Sequence, residues 1–241
     1  MKLVIDLGNT FPKIAVFSGE EIVQLELPTQ FETKLLESVF NKFPISSCIL
    51  SSVIHHQTEI ETFLSSKCKL IVFDHTTPIP IKNEYHSPES LGKDRLASAV
   101  AAQNLFPTQD VLVIDAGTCI KYDFVNSKAA YLGGAISPGL QMRFSALHTF
   151  TDKLPLIELI DYNTLIGKNT QESLLSGVIN GTIAEIDGII DQYRNNFPQI
   201  AIVLSGGDAD YLVNKLKNKI FAVSNIVLIG LKIILDYNDN Q

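Results

Sequence analysis

Cysteine is scarce in this sequence, and basic charge is outweighed by acidic charge. Cys48, Cys68 and Cys119 are the three cysteines among 241 residues, an odd number without a CxxC pair. That pattern speaks against a disulfide framework or a cysteine-held zinc site and fits free thiols in a reducing compartment. Lysine and arginine total 19 against 26 acidic residues, a net charge of −7. No nucleic-acid partner is expected, because a phosphate backbone calls for a basic face. A small anion held by a few amides and one or two lysines stays compatible with this charge. Long apolar runs are missing as well. The N-terminal run meets Asp6 too soon for a signal peptide, and "FAVSNIVLIGLKIILDY" is broken by Asn225 and Lys232, short of a spanning helix. No membrane association is expected, and the expected location is cytoplasmic.

What is present is ample core material: 46% of residues are apolar and 19% charged, which excludes wholesale disorder. Strand-length apolar runs ending at turn residues alternate with helical patterns. "KLVID", "KIAVF" and "EIVQLEL" predict a meander, followed by a helix in "FETKLLESVFNKF", a strand in "SSCILSSVI", a helix in "QTEIETFLSSK" and a strand in "KLIVF". The proline-rich "DHTTPIPIKNEYHSP" reads as an extended connector, and a helix is expected from about Lys93. "DVLVID", "CIKYDFV" and "AAYLGGAIS" predict a second meander. Helices in "TQESLLSGVINGTIAEIDGIIDQYRNNF" and "ADYLVNKLKNK", a strand in "QIAIVLS" and a last apolar helix complete the chain. This is an α/β layer pattern.

The two meanders open alike, with "LVIDLGNT" and "LVIDAGT". Allowing one extra residue at Asn9, Asp6 aligns with Asp115, Gly8 with Gly117, Thr10 with Thr118 and Lys13 with Lys121. Long-period self-similarity of this kind points to duplication, with halves at 1–108 and 109–241. A carboxylate ending a buried strand needs a cation or donors to compensate its desolvation. A glycine two residues on lets backbone amides approach a phosphate, and the threonine adds a hydroxyl. Asp6 is thus a candidate Mg²⁺ ligand, directly or through water, beside polyphosphate. One such turn alone would read as an ordinary hairpin; two favour a phosphate site. A third turn, Ser205-Gly206-Gly207, follows a buried strand. Asp94 and Arg95, after Gly92, sit at an expected helix start, where they serve either as a proton acceptor and an anion clamp or as a plain dipole pair. His55 and His56 are adjacent and read as exposed rather than as metal ligands.

The order of these turns resembles the sugar kinase, Hsp70 and actin superfamily, in which two related halves clamp ATP. That resemblance implies two similar ribonuclease H-like (actin-like ATPase) half-domains, each a mixed sheet flanked by helices. More narrowly, "DLGNT", Tyr85 with "SPESLGKDR", "DAGT", "GGAISPG", "KLP", "IGKNTQESLLSGVINGT" and "LSGG" resemble type III pantothenate kinases over nearly the whole chain. The resemblance implies ATP-dependent phosphorylation of pantothenate by a homodimer that uses Mg²⁺ and a monovalent cation, K⁺ or NH₄⁺. Carried over by position, Asp6, Leu7, Gly8, Asn9, Thr10, Phe11, Pro12, Lys13 and Thr118 would bind ATP, with Mg²⁺ near Asp6. Tyr85, Gly92, Lys93, Asp94 and Arg95 would line the pantothenate site, with Asp94 as general base and "GGAISPG" helping to form the pocket. Asp115 would be tied to the monovalent cation, and Thr170 would reach the partner subunit's site.

Two departures stand out. The family often follows DxGT with Ala-x-Thr-x-Asp, whereas this chain has Cys119-Ile120-Lys121-Tyr122-Asp123. Lys121 could partly substitute for the monovalent cation, contact phosphate, or simply point to solvent. Phe11-Pro12 suggests a bulged first hairpin. Two other classes stay open: a superfamily kinase acting on another small molecule, and a non-catalytic ATP-binding or interaction protein on the same scaffold.

Overall fold

The computed structural model describes residues 1–8, 12–29, 31–52 and 58–239. In chain order the elements are β1 (Lys2–Leu7), β2 (Pro12–Ser18), β3 (Glu21–Glu26), α1 (Thr33–Lys42), β4 (Ser47–Ser52), α2 (Thr58–Lys67), β5 (Lys69–Val72), β6 (Lys82–Asn83) and α3 (Lys93–Leu105). They continue with β7 (Val111–Ala116), β8 (Cys119–Val125), β9 (Ala130–Pro138), α4 (Leu140–Thr149), α5 (Thr170–Asn196), β10 (Ala201–Ser205), α6 (Ala209–Leu212), β11 (Phe221–Ala222) and α7 (Ile226–Asp239). Two compact units result. The first comprises Met1–Leu105, Ala129–Tyr131 and Asn225–Gln241; the second comprises Phe106–Lys128 and Leu132–Ser224.

The first unit carries a five-stranded sheet in the order β3-β2-β1-β4-β5, with β1 antiparallel to β2 and parallel to β4. In the second unit the same connectivity returns as β9-β8-β7-β10-β11, with β7 antiparallel to β8 and parallel to β10. Each strand of the first meander thus has a counterpart in the second, so the duplication read from the two "LVID" runs extends to five strands, and the second sheet adds β6 beyond β9.

Alternation along β1 sets what faces what. Leu3, Ile5 and Leu7 point into a core with Leu36 and Val39 of α1 and Ile60 and Leu64 of α2. Lys2, Val4 and Asp6 take the other face, against which α7 packs. In the second unit, Leu112, Ile114 and Ala116 join Ile179, Ile186 and Ile190 of α5 and Leu140 and Phe144 of α4, which leaves Asp115 on the opposite face. Among the described residues, α5 is long and apolar enough to cross a membrane by composition, but half of that stretch is buried in the protein.

Division by packing differs from the expected split at residue 108. α7 belongs to the first unit, where it packs against α3. At their crossing a Cβ on Gly230 would lie 1.8 Å from the Ala97 carbonyl oxygen, so only glycine lets the two backbones meet there. Charge fixes the same helix. Lys2 Nζ lies 2.6 Å from Asp236 and 2.7 Å from Asp239, which also accepts from Ser47 Oγ at 2.7 Å and pairs with Lys69 at 3.1 Å. Lys232, buried in α7, pairs with Asp236 at 2.7 Å and with Glu20.

Burial pushes the Asp239 carboxyl up, but hydrogen bonds from Lys2, Ser47 and Lys69 outweigh it and hold the group below the ordinary aspartate value. A depressed carboxylate stabilises the fold above its unfolded pKa, about 3.9, and that contribution is lost as pH falls through the lower folded value. The docking of α7 is therefore expected to weaken below about pH 4. Hydrogen exchange of α7 amides should accelerate in that window. In Asp239→Asn the exchange should already be fast at neutral pH and change less on acidification; equal acid sensitivity in the variant would show that Asp239 is not responsible.

Candidate functional site

In the first unit, β1 ends in Asp6-Leu7 and leads to Gly8. Asp6 is buried, at 6% exposure, and its register partners are Lys13 across the antiparallel pair and Ser51 across the parallel one. Lateral partners share a face of the sheet, so a Lys–Asp–Ser row crosses β2, β1 and β4. Among the described residues the Ser51 hydroxyl is buried without a hydrogen-bond partner. Asn9, Thr10 and Phe11, along with His55 and His56, lie outside the described residues. Pro12 opens β2, the position where a missing N–H costs a sheet least. Among the described residues β1 and β2 pair in unbroken register from Lys2↔Phe17 to Leu7↔Pro12, and an irregularity falls between β2 and β3, at Val16/Phe17; the bulge expected at Phe11-Pro12 involves Phe11, outside the described residues.

The second unit repeats the row. Asp115 is the register partner of Lys121 on β8 and of Ser205 on β10. Here the cross-strand pair is closed: Lys121 Nζ lies 2.6 Å from Asp115 Oδ2, with the two side chains 18% and 14% exposed. Lys121 therefore does not simply point to solvent. Its turn is held from two sides. Gly139 N–H donates to the Thr118 carbonyl at 3.1 Å, and Asp208 N–H donates to the Ala116 carbonyl at 3.0 Å. A Cβ on Gly139 would sit 2.0 Å from the Gly117 oxygen, and one on Gly206 (φ +98°) would sit 2.1 Å from the Ala116 oxygen. Gly117 and Gly207 are different. Among the described residues a Cβ at either position meets no atom within 4 Å, so packing does not demand glycine there and the space above both turns is open.

"GGAISPG" thus has a packing role: Gly134 abuts the Tyr122 carbonyl and Gly139 the second turn. Arg143 of α4 braces the same stretch. Its Nε donates to the Pro138 carbonyl at 2.8 Å, and its second terminal nitrogen donates to Ser137 Oγ at 2.7 Å and Glu185 of α5 at 2.5 Å. Burial pushes Glu185 up, yet hydrogen bonds from Arg143, Ser137 and Tyr122 prevail and keep it below the ordinary value, charged against Arg143.

The substrate-wall candidates gather in the first unit. Tyr85 follows β6, where Lys82 and Asn83 pair with Ala130 and Tyr131, and its amide donates to Asn83 Oδ1 at 3.0 Å. The Arg95 guanidinium lies 5.8 Å from the Tyr85 ring centre, a cation–π distance. Arg95 is buried at 6% exposure, while Gly92, Lys93 and Asp94 are half-buried at the start of α3. A Cβ at Gly92 would come 2.7 Å from Asp94 Oδ1, so the glycine leaves room for that carboxylate. Thr170 lies in the second unit as the first residue of α5 and is exposed. "GKNT" is that helix's start: Asn169 accepts from the Glu172 amide at 2.9 Å, and Glu172 accepts from the Lys168 amide at 2.7 Å, a reciprocal cap.

Ser51 was not singled out from sequence, although "CILSS" of β4 parallels "IVLSGG" of β10, and aligning those strands would have paired it with Ser205. Among the described residues no group of three or more His, Cys, Asp and Glu could hold a metal. Asp6, a buried carboxylate at the end of β1, is the residue that would hold Mg²⁺, which keeps several of its waters. Asp115 fits a monovalent cation less well, because Lys121 already supplies its positive partner.

The family model described as type III pantothenate kinase matches residues 2–192. A type III pantothenate kinase of Christiangramia forsetii is 46% identical over 245 residues, covering 100% of both chains. One of Flavobacterium johnsoniae is 44% identical over 246 residues with the same coverage. Among solved structures, a glucokinase from an Antarctic psychrotroph superposes with TM-score 0.53 at 13% identity, covering 98% of each chain, a likeness of fold alone. Twin sheets ending in Asp-x-Gly turns and end-to-end similarity agree, and the chain belongs to the type III pantothenate kinase family.

Proposed function

We propose that this chain transfers the γ-phosphoryl group of ATP to the primary hydroxyl of pantothenate, giving 4'-phosphopantothenate, the first step toward coenzyme A. The observation that carries this reading is the 46% identity over the full length to a type III pantothenate kinase. Asp94, at the start of α3, would accept the hydroxyl proton as that oxygen bonds to phosphorus and the bond to ADP breaks. Arg95, held beside Tyr85, would bind the substrate carboxylate. The Asp-x-Gly segments after β1 and after β7 would each offer backbone amides to phosphate. Asp6 would hold Mg²⁺, which neutralises phosphate charge when bound. Purified protein with ATP, Mg²⁺ and pantothenate should yield phosphopantothenate by mass. A sugar or another hydroxy acid phosphorylated in its place would favour the other superfamily kinase reading, and no ATP turnover with any acceptor would favour a binding protein.

A second copy of the chain would complete the site through Thr170. Support comes from the exposure of Thr170 and of its neighbours Leu165 and Ile166, at 75% and 72%. Their loop is strapped to α5 by Ser176 and Asn180, which donate to the Leu165 and Thr164 carbonyls. Co-expressed Asp94→Asn and Thr170→Ala chains should regain activity that neither variant has alone, because one of the two sites in a mixed dimer is intact. Failure to complement, with mixed dimers shown by tagged purification, would place Thr170 outside the partner's site.

A further inference from the structure

We propose that the Lys121 ammonium is the resident cation of the second hairpin turn, standing at Asp115 where a potassium or ammonium ion would stand, so that turnover needs no added monovalent cation. This rests on the kinase reading above. The geometry is that of a built site. Register places Lys121 directly opposite Asp115, and its nitrogen reaches the carboxylate at 2.6 Å with both side chains largely shielded from water. Asp123, buried at 1% exposure, lies two residues further along β8 on the same face. The ammonium thus occupies an acidic stretch of sheet next to the open space above Gly117.

A free monovalent cation must be stripped of water and held by several oxygens, and a carboxylate helps chiefly by its charge. With Lys121 bound, that charge is already matched. A tethered ammonium also needs no recruitment from solution, since its local concentration is set by the chain. It carries three donors on a compact charge, enough to serve a carboxylate and a further oxygen together. The first hairpin has the same Asp–Lys register at Asp6 and Lys13, so a lysine opposite the strand-end aspartate is part of the duplicated plan.

The test compares rates in choline, sodium, potassium and ammonium chlorides at one ionic strength. Equal wild-type rates are expected, and several-fold activation by potassium or ammonium overturns the proposal. Lys121→Ala should lose activity at least about tenfold in choline, as when one charge-stabilising donor is removed, and recover in ammonium or potassium. Lys121→Met keeps the apolar stem and should show the same loss. A Lys121→Met enzyme as active as wild type in choline overturns the proposal. Melting supplies a readout independent of turnover: potassium should leave the wild-type midpoint at its choline value and raise that of Lys121→Ala. If phosphopantothenate forms in no salt, the kinase reading fails, and the melting comparison still decides whether Lys121 occupies a cation site.

Discussion

Asp94→Asn is expected to lower kcat by roughly 10²–10⁴-fold, the usual contribution of a positioned general base, while ATP binding and the pantothenate KM change little. The substitution keeps shape and removes basicity. Asp94 is half-buried in the first turn of α3, and Gly92 leaves the space its carboxylate occupies. Asparagine fits that space but cannot take a proton from the attacking hydroxyl. Single-turnover phosphoryl transfer measured beside ATP binding separates the outcomes: a chemical step within a fewfold of wild type would remove Asp94 from the role of base. Gly92→Ala gives an intermediate case, because its Cβ would push the Asp94 carboxylate without changing its chemistry.

Gly206→Ala should damage both folding and nucleotide use. Gly206 adopts φ +98°, and a Cβ there would meet the Ala116 carbonyl at 2.1 Å. Backbone strain and overpacking each cost about 1–3 kcal/mol, and the atom in the way is main chain, which yields less easily than a side chain. Because Ala116 lies between Asp115 and Gly117, the displacement falls on the Asp-x-Gly turn after β7 itself. A lower melting temperature with a raised KM for ATP is the expected pair of results. Gly207→Ala is the control: its Cβ meets nothing within 4 Å among the described residues, so it should fold as wild type, and any loss there reports on what enters the open space. A Gly206→Ala protein with unchanged melting and KM would show that the turn relaxes freely.

The meanders, the two Asp-x-Gly turns and the start of α3 at Lys93 were legible because strand alternation and turn residues are local signals. Other features depended on tertiary partners. "ADYLVNKLKNK" has helical pattern, yet α6 stops at Leu212. Beyond it, the amides of Lys217 and Asn218 bond to the Asp187 carboxylate of α5 at 3.1 and 3.2 Å, and no local pattern announces that capture. The apolarity of α7 marks it as buried but not against what: chain order places it with the second half, whereas it packs with α3 in the first unit. Ser51 escaped notice because a serine in a strand carries no motif; only its register beside Asp6 marks it. Of the three readings of Lys121 open in the sequence, its contact with Asp115, set by cross-strand register, removes the solvent-facing one.

The membership of α7 in the first unit bears on how the chain is made. A ribosome delivers β1 to α3 before the second unit, but the helix that packs on β1 and locks against Ala97 follows that unit. The second unit, Phe106–Lys128 with Leu132–Ser224, is complete in sequence while the first still lacks its closing piece. Synthesis proceeds at about 5–20 residues per second, so β1 to α3 wait for the segment from Asn225 onward before their unit can close. A strand that comes early in its unit is finished late, and a released fragment ending before Asn225 should hold a folded second unit beside an unfinished first.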